Sequence, residues 1–216
     1  MSLRLEKLTI SHQGAAMVAL DVKVDAGEVL TIMGPSGCGK STLLAALIGA
    51  LPPAFTASGN VFLDGQDITH LPTHARKLGI LFQDDILFPH LSVADNLGFG
   101  LPKATPNRKE AIAQALAEAG LAGMGPRDPA TLSGGQRARV ALMRTLLSAP
   151  RALLLDEPFA KLDSDLRVQM REFVFAAART RGLPVILVTH DRDDARAAGG
   201  AVLGVTGAAL KVWNGP

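Results

Sequence analysis

A chain of 216 residues that is 48% hydrophobic and carries a net charge of +2 has ample material for a core, which excludes a disordered polymer, and is too weakly basic to imply a nucleic-acid partner. Its length admits one large domain or two small ones. Cys38 is the single cysteine, so an intrachain disulfide is excluded and a reducing compartment fits.

Residues 3–10 alternate apolar and polar, which predicts a half-buried strand, and Val18 to Val24 repeats the pattern less cleanly. Val29-Leu30-Thr31-Ile32-Met33 reads as a further strand. Gly34-Pro35-Ser36-Gly37-Cys38-Gly39-Lys40-Ser41 follows, and Ser41 to Ile48 reads as a helix ended by Gly49. Strand, glycine-rich loop and helix together make a P-loop rather than a ligand-free turn. The glycines let backbone N–H groups fold inward around phosphates, and the helix N-terminus favours the same anion. Lys40 reaches the β- and γ-phosphates of a nucleotide such as ATP, Ser41 offers a hydroxyl to Mg²⁺, and Thr42 completes the phosphate-binding stretch. Cys38 reads as a small residue beside a phosphate rather than a redox centre.

Val61-Phe62-Leu63 running into Asp64-Gly65 predicts a strand and hairpin turn. Strands early and helices later imply a small antiparallel layer beside a parallel core. The continuous apolar runs Leu78–Phe82, Ala152–Leu155 and Val185–Val188 predict strands buried on both faces. Between them, residues 84–147 read as a mainly helical insert: Thr105-Pro106 is a candidate helix start, Ile112, Leu116 and Ala119 keep helical spacing, and Gly120 is a candidate stop.

Ser133-Gly134-Gly135-Gln136 precedes the helical stretch Arg137 to Leu147 and offers a second anion site: two glycine amides, a hydroxyl and a helix N-terminus. One nucleotide has no need of two γ-phosphate cradles in one chain. A symmetric dimer resolves this, each cradle facing the other chain's ATP. Arg137, Arg139 and Arg144 read as a solvated face, with nucleic-acid contact the minor alternative. Asp156 and Glu157 end an apolar strand; the first is placed to hold Mg²⁺ through water, the second to orient or deprotonate the attacking water, with capping of the next element as the alternative. His190 ends the run Val185–Thr189, where an imidazole can hydrogen-bond a γ-phosphate. His12, His70, His74 and His90 have no comparable context and read as surface groups. Ala198 to Leu210, the longest uncharged stretch near the C-terminus, is too short to span a bilayer, and the N-terminus has no apolar signal region; work at a membrane would go through partners.

These residues resemble the ATP-binding subunits of ABC transporters over roughly residues 3–195. Gly34–Ser41 matches the Walker A motif, Gln83 the Q-loop glutamine and Leu132–Gln136 the signature motif. Leu153–Asp156 matches Walker B, with Glu157 as the catalytic glutamate, Asp163 the D-loop aspartate and His190 the switch histidine. The resemblance implies an α/β P-loop NTPase core, RecA-like, with an N-terminal antiparallel β layer and the helical subdomain 84–147 inserted, all one ATPase domain over 1–216. It implies Mg²⁺ held by Ser41, Gln83 and Asp156, and catalysis by Glu157, His190 and Gln83. It implies a homodimer on ATP binding, transmembrane permease subunits as partners, a solute-binding protein as an indirect one, and a peripheral place on the cytoplasmic face of the inner membrane.

Leu81-Phe82-Gln83, the stretch Leu87–Val93 and Asp95-Asn96-Leu97 are similar to bacterial binding-protein-dependent importers, such as those for thiamine, ferric iron, sulfate, molybdate or polyamines. Asp128–Leu142 is especially similar to the thiamine type and to an uncharacterised Ynj-type relative. An exporter subunit, a soluble ABC-type ATPase and a P-loop kinase are the alternatives; the last would leave Leu132–Gln136 idle. The chain departs from the family where an aromatic residue usually stacks on adenine: Ser11-His12-Gln13 stands there, so either His12 stacks less well or adenine is held loosely. The chain also ends soon after His190, which makes inhibition by a C-terminal regulatory domain unexpected, and its alanine- and glycine-rich tail predicts weak edge pairing.

Overall fold

The computed structural model describes residues 1–84, 86–208 and 210. In chain order its elements are β1 Ser2–His12, β2 Ala15–Asp25, β3 Val29–Met33, α1 Lys40–Ile48, β4 Phe55–Leu63, β5 Gln66–Asp67, β6 Leu78–Leu81, α2 Val93–Gly100 and α3 Arg108–Glu118, then α4 Gly134–Leu147, β7 Ala152–Asp156, α5 Ser164–Thr180, β8 Val185–Thr189, α6 Arg192–Ala198 and β9 Val202–Gly204. They gather into two compact units. The first holds Met1–Ile80, Arg151–Glu157 and Arg171–Pro216; the second holds Leu81–Pro150 and Pro158–Met170, so the division falls inside α5.

The first unit contains an antiparallel sheet of order β2-β1-β4-β5 and a parallel sheet of order β6-β7-β8-β3-β9. In β1, Leu3, Leu5, Leu8 and Ile10 are all buried, although Leu5 and Leu8 break the period of two. A register shift between Leu5 and Leu8, with Lys7 in the left-handed region at φ 48°, absorbs the extra residue and returns the apolar side chains to one face. The bulge is close against Gly59 of β4, where a Cβ would stand 2.4 Å from the Lys7 carbonyl oxygen.

The central parallel strands are apolar because both of their faces are covered: β3 and β7 are buried over their first four residues, β8 over all five. β8 pairs in parallel with both β3 and β7, so the ends of all three come out on one edge. The P-loop follows β3, the two carboxylates end β7, and His190 follows β8. The tail carries α6 and the three-residue β9, which pairs with β3 from Thr31↔Val202 to Met33↔Gly204. Glycine precedes it for a steric reason: a Cβ on Gly200 would lie 2.2 Å from the Val29 oxygen.

The second unit holds α2, α3, α4 and the first turns of α5. Helix α3 begins at Arg108 rather than at Thr105-Pro106; Asn107, at φ 50°, is its N-cap, and no side chain caps it. Helix α4 begins at Gly134, before the expected Arg137, because Ser133 and Gln136 close a capping box around the first turn. Its arginines are not a solvated face. Arg137 donates to the Leu132 oxygen at 2.7 Å, Arg139 to the Ala119 oxygen at 3.1 Å, and Arg144 to the Ile86 oxygen at 2.6 Å. Long guanidinium stems reach free carbonyls at segment ends, a tertiary use that helical periodicity does not reveal.

Candidate functional site

The P-loop closes through left-handed glycines. Gly37 has φ 80°, and Gly39, the N-cap of α1, has φ 105°, values that a side chain would resist. Space is tight at Gly34, where an added Cβ would lie 2.6 Å from the Cys38 sulfur and that side chain would have to shift. Lys40 is only 6% exposed. Its ammonium donates to the carbonyls of Gly34 at 2.7 Å and Pro35 at 3.1 Å, and lies 3.5 Å from Oε1 of Glu157.

Strand β7, separated from β3 by β8, supplies the carboxylates. The Ser41 hydroxyl donates to Asp156 Oδ1 at 3.3 Å. Burial pushes the Asp156 carboxyl above the usual range, the Ser41 hydrogen bond pulls it back, and the charge of Glu157 pushes the same way as burial. Glu157 has φ 46°, unusual for a residue with a side chain, and its N–H bonds the Val188 oxygen at 3.0 Å. That left-handed turn sends the chain away directly after the strand. Nδ1 of His190 lies 2.8 Å from Oε2 of Glu157. Lys40, Ser41, Asp156, Glu157 and His190 therefore form one linked cluster in the first unit, although they come from three separate stretches of sequence. Oxygen donors from Ser41 and Asp156, side by side, suit Mg²⁺, a hard cation.

The remaining predicted residues belong to the second unit. Gln83 is exposed just after β6. The Ser133 oxygen accepts the Gln136 N–H at 3.3 Å, and the Gln136 side chain accepts the Ser133 N–H at 2.9 Å. The cap uses a lone pair of the Ser133 hydroxyl and leaves its proton available to donate. Gly134 and Gly135 occupy the first turn of α4, whose N–H groups have no acceptor within the helix. Gly135 is also a packing necessity, since a Cβ there would come 2.3 Å from Leu166 Cδ1. Oδ1 of Asp163 accepts the Leu166 N–H at 3.0 Å and caps the start of α5.

Several contacts near these groups had no sequence signal. His12 faces Phe55 across β1 and β4, with ring centroids 5.0 Å apart. Arg76 is 5% exposed and donates to the Ala46 and Leu47 oxygens, which end α1, at 3.0 and 2.7 Å. Asn96 is fully buried, accepts the Phe88 N–H at 2.8 Å and donates to the Phe88, Leu91 and Ser92 oxygens. It pins the segment after Gln83 onto α2. Asp194, which is buried, and Arg171, which is partly buried, form an ion pair beside the segment that carries His190. Asp194 is one of three aspartates that crowd the start of α6.

The family described as ABC transporter matches residues 18–160. The chain is 53% identical over 173 residues to the uncharacterized ABC transporter ATP-binding protein YnjD of Escherichia coli K12, covering 79% of this chain and 80% of that one. It is 45% identical over 197 residues to the thiamine import ATP-binding protein ThiQ of Cereibacter sphaeroides, covering 90% and 84%. It is 41% identical over 191 residues to the Fe(3+) ions import ATP-binding protein FbpC 1 of Rhizobium meliloti, covering 87% of this chain and 53% of that one.

Proposed function

The chain belongs to the ABC transporter family, and from that premise we propose that it is the ATPase subunit of a bacterial binding-protein-dependent importer of a small solute or ion. Members of the family hydrolyse ATP to drive transport, and this chain is an ATP-binding ATPase of that kind. The observation that carries the proposal is the cluster of Lys40, Glu157 and His190 at the ends of adjacent strands beside a P-loop. Import rather than export rests on the relatives whose names specify thiamine or Fe(3+) import.

In this reading the backbone of residues 34–39, with Lys40, Ser41 and Thr42, holds the phosphates of ATP. Mg²⁺ would be held by Ser41 and by Asp156 through water, and would neutralise phosphate charge. Glu157, with one oxygen toward Lys40 and the other toward His190, is oriented from both sides to align a water for in-line attack. The bond between the β,γ-bridging oxygen and the γ-phosphorus breaks, ADP and phosphate leave, and the water's proton passes to Glu157 and on to solvent. His190 would donate to the γ-phosphate. Ser133, Gly134, Gly135 and Gln136 would meet the γ-phosphate bound to a second copy of the chain, with Asp163 at the same junction, so that two ATP molecules join two chains.

The second unit is read as the family's helical subdomain, inserted into a single ATPase domain. It exposes apolar side chains at Phe82, Ile86 and Phe99, which suit a contact with permease subunits. No helix among the described residues is long and apolar enough to cross a membrane. Attachment through permease subunits at the cytoplasmic face supplies the membrane link, and a solute-binding protein would deliver the cargo. For the base, His12 backed by Phe55 is the proposed adenine platform.

The test is the mass in solution of the Glu157→Gln variant with and without Mg-ATP. Slowed hydrolysis should trap a dimer with nucleotide and a monomer without it. A monomer under both conditions, with ATP binding verified, would remove the two-cradle assignment of Ser133–Gln136.

A further inference from the structure

Groups that the reading above leaves unused converge on the two neighbours of His190. Asp194 is 3% exposed; it accepts from Nε of Arg171 at 2.7 Å and from the Thr189 hydroxyl at 3.0 Å. A terminal nitrogen of Arg171 pairs with the same carboxylate oxygen and lies 3.7 Å from Oδ1 of Asp191. The Thr189 hydroxyl accepts the Asp191 N–H at 3.0 Å. The residues before and after His190 are thus both fastened to one buried ion pair. The imidazole itself is 57% exposed, and its close polar contact among the described residues is Oε2 of Glu157, 2.8 Å from Nδ1. Packing does not fix the ring, so its place depends on the backbone that carries it.

A buried ion pair is an expensive way to stabilise a fold, because desolvation offsets most of the attraction and apolar replacements often do as well. The pair here is held by hydrogen bonds that link residues 189, 191 and 194, with Asp191 also in charge contact with Arg171. Arg171 adds a second tether, since it lies about two turns into α5, the helix that opens directly after Asp163. We propose that Arg171 and Asp194, acting through Thr189 and Asp191, are positioning residues that set where His190 presents its imidazole to the γ-phosphate. The inference rests on reading His190 as the γ-phosphate contact.

The test uses the purified full chain in four forms: Asp194→Asn, Arg171→Lys, Thr189→Val and His190→Ala. Asp194→Asn should lower kcat about tenfold and leave KM for ATP within about twofold, the pattern of a lost transition-state interaction. Arg171→Lys keeps the charge and loses the planar fork, and Thr189→Val keeps the shape and loses the hydroxyl. Each should lose a few-fold in kcat with near-native thermal stability. Added to His190→Ala, Asp194→Asn should cost little more, because its route of action is already gone. In a sample with isotope-labelled histidine, the NMR signal that disappears in His190→Ala should move in Thr189→Val and Asp194→Asn.

A purely structural pair would lower the melting temperature and leave kcat of the folded protein and the His190 signal unchanged; that result overturns the inference. So does an equal loss from Asp194→Asn with and without His190. Should Asp194→Asn fail to fold, Thr189→Val decides alone. A normal kcat in His190→Ala overturns the γ-phosphate reading and this inference together. A slow His190→Ala beside fully active Asp194→Asn and Thr189→Val overturns this inference only.

Discussion

The two units hold the polar groups of their sequence motifs differently. In the first, charged side chains from distant stretches meet one another: Lys40 meets Glu157, Glu157 meets His190, Ser41 meets Asp156, and Arg171 meets Asp194. In the second, the polar groups are largely occupied by nearby backbone. Ser133 and Gln136 cap α4, Asp163 caps α5, and Arg137, Arg139 and Arg144 bond carbonyl oxygens. The first unit holds an acid, a cation and an imidazole within reach of each other, which is equipment for chemistry. The second holds a pre-formed helix N-terminus, which is equipment for receiving an anion. The difference teaches that motif strength and chemical self-sufficiency are separate properties.

Substitutions sharpen this contrast, the largest effect coming first. Lys40→Ala removes the cation from the first unit's cluster and should weaken ATP binding about a hundredfold, roughly 3 kcal/mol. Titration with a fluorescent nucleotide measures it, and unchanged affinity would break the account of that cluster. In the second unit, Gly135→Ala should cost about 1–3 kcal/mol by overpacking against Leu166. Gly134→Ala is its control, because the nearest neighbour of an added Cβ there is a nitrogen of Arg137 at 3.9 Å. Equal unfolding midpoints for the two variants in urea would contradict the packing difference. Ser133→Ala should cost about 1 kcal/mol of stability through the lost cap and should leave monomer ATP affinity intact. Weaker nucleotide binding by the monomer would place Ser133 in the wrong group.

The smallest effect is a pH dependence. Burial raises the Asp194 carboxyl and Arg171 opposes the rise, so the folded value stands above the unfolded one. Its stabilising contribution is complete below the unfolded value and lost as pH rises through the folded one. The stability of the native chain relative to Asp194→Asn should therefore fall as pH rises above about 4. Thermal melts across that range check the sign.

The strands that carry the site were legible because parallel strands buried on both faces spell continuous apolar runs, as Val185–Val188 and Ala152–Leu155 do. The P-loop was legible because its glycines answer a backbone requirement written in consecutive residues. The supports were not. Arg171 finds Asp194 across 23 positions and Arg144 finds Ile86 across 58, and local pattern carries no record of either meeting. The start of α3 was misplaced because a proline after threonine is a good local signal, whereas the helix begins at Asn107 without any side-chain cap. Phe55 was hidden for the same reason as Arg171: its meeting with His12 depends on strand register.

Helix α1 is fixed at the end remote from the P-loop. Arg76 grips its last carbonyls, and a Cβ at Gly49 would come within 2.7 Å of the guanidinium. Nine residues of α-helix make a stiff strut of about 13 Å. A push at the loop end cannot be absorbed by fraying at the far end. Arg76 also holds the Thr69 and Leu71 carbonyls with its other nitrogens. The phosphate-binding loop and the segment around Thr69 and Leu71 are thereby the two ends of one braced strut.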